Sequence, residues 1–171
     1  NSNDLPWRSS DKIRLTRIKA DKNGFIDFNE LADKLSEYNE KSRYGTSKIK
    51  LVTISGASNV LGTFNNLEAI TNIVHSYGAQ ILVDAAQMVA HRKIDMKDCG
   101  IDYLAFSAHK VYAPFGTGVL VGTGVAVSVG GTGTVGGTEV ETVSQLEETV
   151  SSTSVRNIDP MDFFMTFFLL I

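Results

Sequence analysis

Residues 80–87 read QILVDAAQ and residues 103–110 read YLAFSAHK. Each is a short apolar run that ends in polar side chains able to do chemistry. Runs of three or four apolar residues have the length of a strand rather than a helix. Strands with no polar face belong to a sheet covered on both sides, the usual state of parallel sheets. In such sheets ligands sit beyond the carboxyl ends of the strands. Asp84 and the stretch Ser107–Lys110 both fall there, which places them at one edge of one sheet.

Working outward, the stretch between them and the segments upstream alternate with helical patterns. Asn65-Asn66 caps a helix with Leu67, Ile70, Ile73, Val74 and Tyr77 inward, stopped by Gly78. Residues 48–55 (KIKLVTIS) read as a strand. Phe28, Leu31, Leu35 and Tyr38 fall at helical spacing behind Asp27 or Asn29 as cap. Residues 14–20 (RLTRIKA) suggest a further short strand, closed by the turn Asp21-Lys22-Asn23-Gly24. Past Gly118, residues 119–121 make another strand. Alternating strands and helices predict an α/β, three-layer α/β/α fold with a mostly parallel sheet. Residues 123–150 become rich in Gly, Thr, Ser and Glu, and residues 151–171 end in the apolar run MDFFMTFFLLI. That run is about half the ~20 residues a membrane span needs, so it reads as a strand or helix for a core, and no membrane partner is expected.

The net charge of -3, without a dense Lys/Arg cluster, argues against nucleic acid as a partner. One cysteine, Cys99, forms no internal disulfide and fits a reducing, cytoplasmic setting. No charged and apolar leader of the signal-peptide type is expected. Three histidines and one cysteine at no ligand-like spacing predict no metal site. The stretch Asp21–Ile26 with Glu30 mimics part of a calcium loop, but Lys19 falls where the first ligand should be. The glycines of residues 130–137 do not open a helix after a strand, so they are not a dinucleotide fingerprint. His75 and His91 read as structural.

Asp84, Gln87, Ser107, His109 and Lys110 together suit pyridoxal 5'-phosphate. Its aldehyde needs a lysine amine, its pyridine nitrogen a carboxylate that keeps it protonated, and its phosphate hydroxyl and imidazole donors. At this point a family resemblance enters. The run ILVDAAQMVAHRKIDMKDCGIDYLAFSAHKVYAPFGTGVLVG, residues 58–63 (SNVLGT) and residues 1–8 (NSNDLPWR) resemble the centre of class V aminotransferase-fold enzymes, in the cysteine desulfurase and selenocysteine lyase branch.

The resemblance implies that residues 1–122 are the central part of the large domain of a fold-type-I enzyme, with residues 123–150 a continuation and 151–171 divergent. It implies Lys110 as the Schiff-base lysine and proton carrier, and Asp84 as the pyridinium partner. Gln87 and Asn59 would bond the cofactor's phenolic oxygen, and Ser107 and His109 its phosphate. Thr138 would match a loop that reaches the partner subunit's phosphate in a homodimer. The family's ring-stacking histidine, upstream phosphate loop, small domain and reactive-cysteine loop find no counterpart, so the chain reads as a fragment. The implied activity is desulfurase- or lyase-type chemistry on an amino acid such as cysteine. Transamination, another elimination, or a non-catalytic binding or dimerising module are the alternatives.

Overall fold

The computed structural model describes residues 3, 7, 13–113, 116–123 and 125–129. Five strands form one sheet in the order β1-β2-β3-β4-β5: Leu51–Ser55, Gln80–Asp84, Tyr103–Ser107, Gly118–Gly122 and Val125–Val129. β1, β2 and β3 are mutually parallel; β4 runs antiparallel to β3 and β5 antiparallel to β4. Four strands therefore share one direction and β4 alone opposes them. This is the mostly parallel α/β sheet that the sequence predicts.

The helices form where capping chemistry allows. Asp27 caps α1 (Phe28–Leu35) by accepting from the amides of Asn29 and Glu30, and Asn66 caps α2 (Leu67–Ser76) by accepting from Ala69. These bonds satisfy N–H groups that a helix start leaves without partners. Leu31, Leu35, Leu67, Ile70 and Val74 are buried, as their spacing requires, whereas Phe28 is exposed. Phe28 opens the first turn, ahead of the point where the helix meets the core. The four-residue α3 (Met96–Cys99), capped by Asp95, was not evident in the sequence.

One expected element is corrected. Residues 14–20 form no strand of the five-stranded sheet; Thr16 and Ala20 are isolated bridge residues, Ala20 pairing with Ile26. Asp21 accounts for the turn between them, since its carboxylate accepts from the amides of Asn23 and Phe25. Gly24 closes the turn at φ 84, where a side chain would be strained and would strike Leu61.

The two sheet faces bury different partners. Val52, Ile54, Ile81, Val83 and Leu104 pack with the buried residues of α1 and α2. On the other face Leu51, Leu82 and Leu120 pack with Trp7 and the half-buried Ile13, Leu15, Tyr103 and Ala105. Because strand residues alternate, Thr53, Ser55, Asp84 and Ser107 point to this second face.

At the amino edge of the sheet, Asp102 ties several elements together. Its Oδ2 accepts from the Ile81 amide and lies 2.8 Å from His75 Nε2 on α2, while its carbonyl accepts from Thr123. The structural reading of His75 agrees with this pairing.

Candidate functional site

Register, rather than sequence proximity, assembles the candidate site. Ser55, Asp84 and Ala105 lie side by side across β1, β2 and β3 at the carboxyl edge. The backbone around Asp84 is held from both flanks. Its carbonyl accepts from the Gly56 amide at 2.8 Å, and the next amide, Ala85, donates to Ala105 at 2.7 Å. Its Oδ1 accepts from the Ala86 amide at 3.0 Å, which fixes the carboxylate's direction. The neighbours Ser55, Ala105 and, beyond Ser107, Gly118 are small residues beside the half-buried Asp84.

Ser107 ends β3, and Ala108–Val111 follow as a 3₁₀ turn carrying a half-buried His109 and an exposed Lys110. The turn is held by Ala108 N–H donating to Thr117 at 3.0 Å and Ala113 N–H donating to Ala108 at 3.1 Å. Tyr112, two residues after Lys110, is fully exposed and has φ 67. A bulky residue in that left-handed region is uncommon, and such backbone strain gathers at functional sites.

The other expected residues lie at the same edge. Gln87 sits half-buried in the turn after β2, which closes through Val89 and Arg92 amides donating to Ala85 and Met88. Asn59 is exposed at the tip of the loop after β1. That loop is tightly tied: Ser58 Oγ accepts from the amides of Val60 and Leu61, and the Gly62 amide donates to the Ser58 carbonyl. Thr138 lies outside the described residues.

Three positioning residues were missed by the sequence reading. Gly56 packs so closely that a Cβ there would come within 2.9 Å of Met88 Sδ and 3.1 Å of Val83. Asn65 donates from Nδ2 to the Ser55 carbonyl and from its amide to Gly56, pinning the return of the loop. Met88, buried beneath Gly56, couples that loop to the turn carrying Gln87. The signal for Gly56 was present, since a glycine ending a strand marks close approach.

Asn3 on the same sheet face accepts from Thr53 Oγ1 at 3.1 Å and from Trp7 Nε1 at 3.4 Å, but its buried Nδ2 has no partner. Leaving such a donor unpaired costs about 1–3 kcal/mol. A spare donor, a fixed carboxylate with small neighbours, a hydroxyl ending the adjoining strand and an imidazole and amine on the turn after it are residue types that fit pyridoxal phosphate. Among the described residues no group of His, Cys, Asp and Glu is arranged to hold a metal, and no helix is long and apolar enough to cross a membrane.

Cys99 lies on α3, which leads into the start of β3, and so at the opposite sheet edge from Lys110. Burial first, then the carboxylates of Glu68, Asp98 and Asp95, raise its thiol pKa above the ordinary value. At any pH below that raised value the folded chain holds less thiolate than a free cysteine does. Alkylation by iodoacetamide should therefore be slower in the folded chain than in urea at neutral pH, and should accelerate only at more alkaline pH. Equal rates folded and unfolded would contradict this.

A sheet of this order with these residues at its carboxyl edge defines a class: the large domain of fold-type-I enzymes, held here in part. The profile described as Aminotransferase class-V matches residues 1–157, and the chain belongs to that family. The match runs past residue 122. A probable cysteine desulfurase of Borreliella burgdorferi is 46% identical over 120 residues, covering 70% of this chain and 27% of the relative. A probable cysteine desulfurase of Halalkalibacterium halodurans is 40% identical over 122 residues, covering 70% and 28%. The solved NifS-like protein of Rickettsia africae superposes with a TM-score of 0.54 at 26% identity, covering 61% of this chain and 27% of that one. The chain thus spans little more than a quarter of the length of these relatives.

Proposed function

We propose that this chain is the central, cofactor-holding portion of the large domain of a pyridoxal-phosphate-dependent enzyme acting on cysteine or a close amino-acid analogue. The observation that carries the reading is the lateral row Ser55–Asp84–Ala105 beside the turn bearing Lys110. Similarity to probable cysteine desulfurases supports the choice of substrate. When bound, the cofactor supplies an electron-accepting ring that stabilises negative charge at the substrate's α-carbon.

The chain's own residues have the following parts. Asp84 faces the ring nitrogen and keeps its proton in place, since a nearby opposite charge favours the protonated base. Lys110 attaches the cofactor and moves protons between substrate atoms. Ser107 and His109 hold the phosphate, and Gln87 and Asn59 orient the ring through its phenolic oxygen. Thr138 would serve a second subunit of a homodimer, and the parent enzyme would work in the cytoplasm. Cys99 takes no part, because it occupies the wrong sheet edge.

The test is to mix the chain with pyridoxal phosphate and record the absorbance of the lysine-bound cofactor. A band that vanishes in Lys110→Ala and resists dilution in wild type is expected. Identical spectra for the two proteins would defeat the reading.

A further inference from the structure

We propose that Arg92 and Phe64 form a latch that fixes the loop bearing Asn59 against the turn bearing Gln87, and so act as positioning residues for the site. The guanidinium carbon of Arg92 lies 3.8 Å from the centroid of the Phe64 ring, well inside the range at which a cation is attracted to an aromatic face. Phe64 closes the 57–64 loop through its bridge to Ala57. Arg92 ends the turn after β2, its amide donating to the Met88 carbonyl at 2.9 Å.

Both ends of this contact are anchored where the site is built. The loop's internal bonds run through Ser58, next to Asn59. The Met88 that receives the Arg92 amide also lies under Gly56, one residue before the loop. The two segments are therefore joined twice at the base of the loop, by Gly56 against Met88 on one side and by Phe64 under Arg92 on the other. Two fastenings fix the separation and angle of the segments, whereas one would leave a hinge. Arg92 is solvent-exposed, and holding its long side chain over the ring costs rotamer freedom that the cation–ring contact offsets.

The experiment compares the full chain with Arg92→Ala, Phe64→Ala and Phe64→Tyr by amide hydrogen exchange without cofactor. Exchange at Val60, Leu61 and Gly62 should speed up about two- to five-fold in the two alanine variants, the scale of an exposed cation–ring contact. Phe64→Tyr, which keeps the ring, should restore the wild-type rate. Ile81 in β2 should not change in any of them, which separates a local latch from general loosening. Unchanged loop exchange in Arg92→Ala, or Phe64→Tyr behaving like Phe64→Ala, would overturn the proposal.

A second arm rests on the function proposed above. Titration with pyridoxal phosphate should show the lysine-bound band needing about two- to five-fold more cofactor in Arg92→Ala than in wild type. An unaltered titration would overturn the latch's link to the site. A wild-type chain that shows no Lys110-dependent band at all would count against the function instead, and the exchange arm would then decide the latch.

Discussion

Asp84→Asn should leave the cofactor attached through Lys110 but lower turnover by about 100- to 1000-fold, the scale on which losing one group that stabilises transition-state charge acts. The geometry explains why the two effects separate. In the proposed function, attachment would need only the amine of Lys110 on the 3₁₀ turn after β3. Charge stabilisation needs a negative group beside the ring nitrogen, and an amide of the same shape cannot keep that nitrogen protonated. The carboxylate is held by its neighbours: Gly56 and Ala105 fix the backbone on either flank, and the Ala86 amide fixes Oδ1 at 3.0 Å. Asparagine retains an oxygen for the Ala86 bond, so the fold should be unaffected. Turnover with cysteine would be followed in protein containing this chain, with the absorbance band recorded on the same sample. Wild-type turnover in Asp84→Asn would remove Asp84 from the proposed chemistry, and loss of the band would mean that the change had disturbed the site's structure instead.

The site was more legible in the sequence than the framework that supports it. Asp84 and Ser107 each end an uninterrupted apolar strand, and that pattern alone assigns them to one sheet edge. The pairing of Ser55 with Asp84 was not legible, because register depends on how β1 docks beside β2 rather than on either segment's pattern. The caps Asp27 and Asn66 could be read, since Asp and Asn before a periodic run have a local cause. Residues 14–20 looked like a strand because alternation is local, but a strand needs a continuous neighbour, and these residues make isolated bridges at Thr16 and Ala20 instead. The roles that escaped notice, those of Asn65 in pinning the loop and of Met88, Phe64 and Arg92, share one property. Each acts through a partner at least ten residues away, a relation that no spacing rule contains.

Asn39 is the clearest such case and leads to the largest expected loss of stability. It lies four residues after Leu35, in the π-helical turn Ser36–Glu40 that extends α1, and therefore on the inward side of that helix. Its side chain substitutes for a missing strand partner. Nδ2 donates to the carbonyls of Ile49 at 2.9 Å and Tyr77 at 2.8 Å, and Oδ1 accepts from the Ile49 amide at 2.8 Å. One amide group thereby joins α1, the entry to β1 and the end of α2. Asn39→Ala strands two carbonyls and an amide in a half-buried place, at a cost of about 2–4 kcal/mol after allowing for partial access to water. For a chain of this size Tm should fall by roughly 5–12 °C. Asn39→Asp keeps the acceptor for Ile49 but loses both donations and sets a carboxylate against two carbonyl oxygens, so it should resemble Asn39→Ala rather than wild type. Thermal melts of the three proteins decide the matter. An Asn39→Asp variant as stable as wild type would show that the two donated bonds do not hold these elements together, and a loss below about 1 kcal/mol in Asn39→Ala would show that water replaces the side chain without cost.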